Sequence, residues 1–144
     1  MDKPLGVALL ALGSLIFGIL WIFRNIFALA VFTLLFREFP IFASLVMIGK
    51  VLYYFALGSL LIASGYWVLK LDEMGRVLAM VGGTMLFGYP FLAPVGISLL
   101  GGVVYRLSAL SQSLPFVVVS VVFGLLVPVY LGRPKAGKIF TGND

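Results

Sequence analysis

The first long apolar run of the chain, Leu5–Phe23, contains no charged side chain and constrains the fold more than any other feature. As a helix it would be about 28 Å long at ~1.5 Å per residue, close to the ~30 Å hydrocarbon core of a bilayer. A basic residue before an apolar run also fits a signal peptide, but this run is long for one and ends at Arg24. We therefore expect residues 5–23 to cross a membrane.

Three further apolar runs extend this pattern and predict an all-α, polytopic transmembrane helical bundle. Two of them, residues 49–69 and 115–131, have lengths suited to one crossing each. The third, residues 77–105, would be about 44 Å long as a straight helix. Residues 26–36 are apolar but too short to cross, so they predict a short interfacial helix for which Asn25 is the N-cap. The chain is thereby a single transmembrane domain.

Two prolines and two glycines interrupt the third run within residues 86–96. Proline removes a backbone donor and disfavours helical angles at the residue before it, so the run predicts a helix break. One broken crossing gives four spans, which is the prediction. A tight hairpin, with crossings over 72–90 and 95–113, gives the alternative of five spans. The residues of this candidate break or gate are Gly88, Pro90, Pro94 and Gly96.

Composition restricts the chemistry available to the chain. Only 10% of its residues are charged, against about 25% in soluble domains, and it contains neither cysteine nor histidine. These absences exclude disulfides, thiolate nucleophiles, imidazole acid–base catalysis and the commonest haem and transition-metal ligands. Asp72 is interpreted as a helix cap and as an ion-pair partner of Arg76, four residues later. We therefore expect a non-catalytic protein with no metal and no cofactor.

The C-terminal segment 132–144 is basic and is expected to form a tail at the membrane surface. Its residues 132–139, GRPKAGKI, match the opening of a phosphate-binding loop, G-x-x-x-x-G-K. That loop requires Ser or Thr at the next position, where this chain has Ile139, and a strand before it. We therefore expect neither a nucleotide nor a nucleic acid as a partner.

Lysine and arginine residues are slightly more numerous on the side that carries the C-terminus. For either number of spans this side has six of them and the other side four, which favours a cytoplasmic C-terminus. Three basic residues stand at the edges of apolar runs, and a fourth follows the last span. We interpret them as candidate contacts for a lipid phosphate or for a partner's carboxylate. They are Arg24, Lys50, Arg106 and Arg133.

Small residues spaced four apart recur in the predicted spans and indicate close packing of helices. The pairs include Ser14/Gly18, Ala79/Gly83, Thr84/Gly88 and Ser120/Gly124. Tyrosine and tryptophan residues lie near the predicted span ends, among them Trp21, Tyr66 and Trp67. They predict aromatic belts at the two membrane–water interfaces.

Three short motifs resemble those of a known group of membrane proteins. They are the K-P-x-G opening at Lys3–Gly6, the GYWVLKL…GRVLA turn across residues 65–79, and the YLGRP end at Tyr130–Pro134. In these respects the chain resembles small predicted prokaryotic four-helix integral membrane proteins of unknown function. Met74 departs from the group, which usually has tryptophan at that position of the turn. The resemblance implies four membrane helices and implies no activity.

These features together predict a small accessory or structural subunit, without catalytic activity, in a prokaryotic plasma membrane. It would pack against a larger membrane complex or against a second copy of itself, with membrane lipids around it. The alternative is a small transporter or lipid-handling protein that uses the broken helix at 86–96, because interrupted helices mark many transporter sites.

Overall fold

The computed structural model describes residues 5–35, 41–100 and 114–141, and all regular structure in these ranges is helical. Residues 91–100 are described by their backbone only. The all-α fold class predicted from the apolar runs is therefore confirmed for the described part of the chain. The helices are α1 Leu5–Leu35, α2 Ile41–Leu69, α3 Glu73–Leu100, α4 Leu114–Leu131 and α5 Pro134–Thr141.

Helices α1 and α2 pack antiparallel through glycine. A methyl group built on Gly18 would lie 2.8 Å from the carbonyl oxygen of Gly58, and one built on Gly65 would lie 2.7 Å from the carbonyl oxygen of Ala11. Contact positions fall along α2 as they rise along α1, so the two helices run in opposite directions. Their backbones approach closely because these positions carry little or no side chain.

Helices α3 and α4 form a second antiparallel pair. A methyl group built on Gly83 would lie 3.3 Å from the carbonyl oxygen of Gly124, and the Arg76 Nη1 group donates to the carbonyl of Leu131 at 3.3 Å. A short turn at residues 70–72 joins α2 to α3, with Leu71 in the left-handed region at φ 59°. Both pairs show the close packing that the small residues predict.

Aromatic side chains of α4 close the bundle against α1. Phe123 lies against Gly13, and Tyr130 lies against Gly6. The Phe123 ring also stacks on Phe17, with ring centroids 4.9 Å apart. Large rings thus fill the space over glycines in the facing helix. The four long helices alternate in direction around a shared core.

Two clusters of buried apolar side chains fill this core, one towards each end. The first lies at the end that carries the α2–α3 turn and α5, called here the α5 end. The second lies towards the opposite end, called here the Arg24 end. The buried members of the first are Val7, Ala11, Val68, Ala79, Val127, Leu131 and Phe140. Those of the second are Trp21, Leu57, Leu61, Leu86 and Tyr89.

The outer surface of the bundle is apolar, as expected for helices in a bilayer. Among the described residues two segments are long and apolar enough to cross a membrane, Leu5–Ala30 and Met47–Leu69. A third crossing is added if α4 and α5, which meet at an angle of 69°, count as one bent span. Large side chains such as Leu5, at 76% exposure, face outward along α1. The described part of the chain is thus a helical bundle with two, or up to three, candidate membrane-spanning helices.

The short interfacial helix predicted over residues 26–36 is absent, because α1 is continuous from Leu5 to Leu35. Asn25 therefore lies inside a helix and does not cap one. The sequence from Ile19 to Leu35 holds neither glycine nor proline, so nothing in its backbone opposes continuation. The polar pair at 24–25 was interpreted as a boundary, whereas both side chains find partners within the bundle.

The predicted break in the third run is also absent. Helix α3 is continuous through residues 86–96, which contain Gly88, Pro90, Pro94 and Gly96. The hairpin that would add a fifth span at this point is therefore wrong as well. A proline deletes one hydrogen bond of the helix, and a membrane helix tolerates that loss where neighbouring groups support the backbone. The carbonyl that Pro90 leaves without its helical donor is that of Leu86, and the Tyr53 hydroxyl of α2 donates one position earlier, to the carbonyl of Met85, at 3.0 Å.

The basic tail predicted for residues 132–144 forms helix α5 from Pro134 to Thr141. Its polar face is exposed, and its apolar face, with Ala136 and Phe140 four residues apart, is buried. Phe140 joins the core cluster of the α5 end. Burial of this ring anchors the segment to the bundle, so the charges that dominate its sequence do not keep it away from the protein.

Candidate functional site

A polar and aromatic layer crosses the bundle at the Arg24 end. It starts on α1, where Trp21, Arg24 and Asn25 are spaced three and four residues apart and so share one helix face. That face is turned into the bundle. Trp21 is 0% exposed, Asn25 is 1% exposed and Arg24 is partly buried.

The Arg24 guanidinium is held by aromatic side chains from three helices. Its Nη2 group donates to the Tyr89 hydroxyl of α3 at 3.0 Å. Its Cζ atom lies 5.1 Å from the ring centroid of Trp21, 5.7 Å from that of Tyr89 and 4.7 Å from that of Phe116, in the first turn of α4. Each ring face attracts a cation by about 0.5–2 kcal/mol, more when water is excluded. The rings therefore stabilise the charge of Arg24 without neutralising it.

Further rings surround this contact. Trp21 packs against Tyr54 of α2 with centroids 5.0 Å apart and against Tyr89 with centroids 4.8 Å apart. Tyr54 and Tyr89 are themselves in edge contact, with centroids 5.7 Å apart. Trp21 was predicted to lie in an interfacial belt, and this part of the prediction is wrong because its indole is central to the core. At the α5 end, Tyr66 and Trp67 are exposed beside Lys70, in agreement with a belt.

Three buried polar atoms of this layer have no hydrogen-bond partner among the described residues. They are Arg24 Nη1, Trp21 Nε1 and Asn25 Oδ1. A buried donor or acceptor left unpaired costs about 1–3 kcal/mol, and more for a charged group. All three belong to one helix turn, so the uncompensated polarity is concentrated at one place in the structure.

Lys50 lies at the same level of the bundle as Arg24. The Asn25 amide Nδ2 donates to the carbonyl of Val51 at 2.9 Å, which aligns residues 24–25 of α1 with residues 50–51 of α2. Lys50 is half-buried. Arg24 and Lys50 therefore lie at the same level on neighbouring helices.

The described acidic residues lie at the α5 end of the bundle. The Asp72 carboxylate accepts from the backbone N–H of Met74 at 2.8 Å, so its predicted capping role is confirmed. Glu73 pairs with Arg76, whose Nε group donates to both carboxylate oxygens at 2.9 Å. The ion pair that was predicted for Asp72 is thus made by its neighbour, because Glu73 lies three residues before Arg76 on the same helix face.

The structure thus brings together two of the four basic residues singled out in the sequence, Arg24 and Lys50. Arg133 is exposed at the α5 end, far along the bundle from these two, and Arg106 lies outside the described residues. Sequence reasoning missed Tyr89 and Phe116. Tyr89 stands between Gly88 and Pro90, and its hydroxyl in a long apolar run was the one signal that could have marked it.

The chain was compared with models of protein families, with curated proteins and with solved structures, and none of them matches it. The layer around Arg24 therefore has to be interpreted from its own chemistry.

Proposed function

We propose that the chain is a non-catalytic membrane subunit that packs, through the outer face of α3, against a helix of a larger membrane complex or of a second copy. Under this proposal it is one of the small prokaryotic four-helix membrane proteins that its sequence resembles. All four long helices cross the plasma membrane, and the α5 end faces the cytoplasm. The alternating direction of these helices and the excess of basic residues at the α5 end support this arrangement.

The observation that carries the proposal is a stripe of small and β-branched residues on α3. Val77, Val81, Thr84 and Gly88 follow one another at spacings of four, three and four, which keeps them on one helix face. Val77 is 41% exposed, Val81 is 47% exposed and Thr84 is also exposed. A methyl group built on Gly88 would meet no described atom within 4 Å.

This stripe differs from the glycine contacts inside the bundle. Gly18 and Gly83 already receive the backbone of a neighbouring helix, whereas Thr84 is exposed and Gly88 is partly exposed with open space beside it. The Thr84 hydroxyl donates to the carbonyl of Met80 at 2.8 Å, so it needs no acceptor from outside. In a bilayer, small residues let a second helix approach closely and gain van der Waals contacts that flexible acyl chains match poorly.

The experiment compares substitutions at two glycines that share one property, open space at the position of an added Cβ. Gly88→Leu and Gly49→Leu each add a Cβ atom that has no described atom within 4 Å, but only the first lies on the α3 stripe. Protein purified in gentle detergent should retain its partner or second copy at fixed ratio with the parent and with Gly49→Leu. Gly88→Leu should lose at least about nine-tenths of it, a cost of ~1.4 kcal/mol or more. A parent that purifies as a lone monomer, or equal retention by both variants, would contradict the proposal.

The alternative function, transport or lipid handling at a broken helix, started from a break within residues 86–96. Helix α3 runs unbroken through these residues, so this alternative has lost the feature that suggested it.

A further inference from the structure

We infer that Arg24 and Lys50 form a binding site for the phosphate of an anionic phospholipid. The inference does not depend on the proposed packing of α3. It starts from a charge balance, because two cations share one level of the bundle while the described carboxylates lie at the opposite end. By sequence, α1 and α2 contain no acidic residue at all.

Burying a positive charge at this position costs free energy. A cation inside a membrane-spanning segment is stabilised by pairing with an anion or by reaching water, and is otherwise rare. Three ring faces and one hydroxyl partly stabilise the charge of Arg24, but its Nη1 group is buried without an acceptor among the described residues. Trp21 Nε1, in the same cluster, is a second buried donor for which the described part of the chain offers no acceptor. Both unpaired groups call for an acceptor, and an oxyanion is the ligand that also neutralises charge.

The depth of Arg24 and Lys50 in the membrane follows from their positions in the two candidate spans. Arg24 lies six residues before the end of the candidate span at Ala30, and Lys50 lies three residues after the start of the candidate span at Met47. These offsets correspond to about 9 Å and about 5 Å along the helices. Headgroups occupy the outer ~5–7 Å of each leaflet, and the stems of Arg and Lys reach several ångström towards them. A lipid phosphate is therefore the anion that is always present at this level.

The shape of the Arg24 guanidinium suits a phosphate ligand. A guanidinium presents parallel N–H groups that match the oxygens of a phosphate, and an ammonium adds a second point charge beside it. The Arg24 fork uses Nη2 for Tyr89, so Nη1 is the group left for the ligand. Arg24 is only partly buried, so a rotation of its terminal torsions can bring Nη1 to a ligand at the protein surface.

The site contains its own reporter. The chain has two tryptophans, Trp21 in the site and Trp67 at the other end, so Trp67→Phe leaves Trp21 as the sole fluorophore. Trp67 is exposed, and its replacement leaves the core intact. An anion that pairs with Arg24 weakens the positive field over the Trp21 ring, 5.1 Å away, and shifts its emission. The protein is titrated in maltoside micelles, which hold no phosphate, with phosphatidylglycerol, with diacylglycerol or with inorganic phosphate.

We expect a saturable shift of Trp21 emission with phosphatidylglycerol and none with diacylglycerol. In the same background Arg24→Gln should raise the half-saturation concentration at least about tenfold. Lys50→Gln and Arg24→Lys, which keep one or both charges, should raise it by smaller factors. The control Lys135→Gln removes an exposed positive charge from α5 and should titrate like the parent. If Arg24→Gln does not fold, the Lys50 and Arg24→Lys variants still decide the result.

Three results would overturn the anion site itself. One is an emission that responds to neither phosphate source, and another is equal titration by Arg24→Gln and Lys135→Gln. The third is a response that appears only in Glu38→Gln, because a residue of the segment 36–40, outside the described residues, would then supply the counter-ion. A shift produced by inorganic phosphate, with no further effect of the lipid, would keep the oxyanion site and overturn its lipid source. None of these outcomes bears on the Gly88→Leu test.

Discussion

The side-chain amide of Asn25 and the backbone carbonyl of Val51 are joined by a hydrogen bond of 2.9 Å between α1 and α2. Asn25 is 1% exposed, and its other polar atom, Oδ1, has no partner among the described residues. One buried hydrogen bond therefore joins α1 and α2, the two candidate membrane-spanning helices, at this level. The same bond places Arg24 and Lys50, the neighbours of its two residues in sequence, at one level along the bundle.

We expect Asn25→Ala to lower the free energy of unfolding by about 0.5–1.5 kcal/mol, the range found for buried interhelical hydrogen bonds in membranes. The measurement is unfolding in mixed micelles as the fraction of denaturing detergent rises. Thr33→Ala is the control, because the Thr33 hydroxyl is exposed and bonds only to carbonyls of its own helix. Equal effects of the two substitutions would mean that the Val51 contact contributes nothing.

The Gly18 position gives a second prediction, about the approach of α1 to α2. A methyl group on Gly18 would lie 2.8 Å from the carbonyl oxygen of Gly58 and 2.9 Å from the backbone nitrogen of Ile62. Both are backbone atoms, so the helices must separate, and Gly18→Ala should destabilise by about 1–3 kcal/mol. Gly49→Ala meets no described atom within 4 Å and should be neutral or stabilise by up to about 1 kcal/mol. The same detergent titration measures both, and destabilisation by Gly49→Ala of the same size would refute the argument from contact.

The length and apolarity of the runs were enough to predict α4, the first part of α1 and residues 49–69 of α2, although α2 begins eight residues earlier, at Ile41. In a bilayer a spanning segment satisfies its backbone most simply as a helix. The failures occurred where a local signal competed with distant partners. Asn25 has the chemistry of a cap, but Val51 in the next helix is its partner. Pro90 has the chemistry of a helix breaker, but the helix continues through it.

The candidate site was predictable only in part, for the same reason. Arg24 and Lys50 stood out as charges at the edges of apolar runs. Their common level depends on the packing of α1 against α2, which no spacing in one sequence reveals. The rings of Tyr89 and Phe116 come from helices that are distant in the chain, and in a sequence with 15% aromatic residues neither stands out.

Arg76 connects the start of α3 to the end of α4, which leads to a third prediction. Its guanidinium pairs with Glu73 and also donates to the carbonyl of Leu131 at 3.3 Å. Arg76→Met should lower the free energy of unfolding by about 1–2 kcal/mol, because it removes both contacts from a partly buried position. Glu73→Gln removes only the ion pair between neighbouring turns of one helix and should cost under about 0.5 kcal/mol. If the two substitutions have equal effects in the detergent titration, the contact with Leu131 is without energetic weight.

The fourth prediction concerns the number of spans and the side of the C-terminus. The chain has no cysteine, so single-cysteine variants need no prior substitution. Lys70→Cys and Lys138→Cys both lie at the α5 end, where the α2–α3 turn and α5 meet. In sealed, inside-out plasma-membrane vesicles a membrane-impermeant maleimide should label both, and in intact spheroplasts neither. Four spans require the two positions to share a side, whereas five spans place them on opposite sides. Labelling of one variant in each preparation would support five spans, and labelling of both in spheroplasts would reverse the orientation that the basic residues predict.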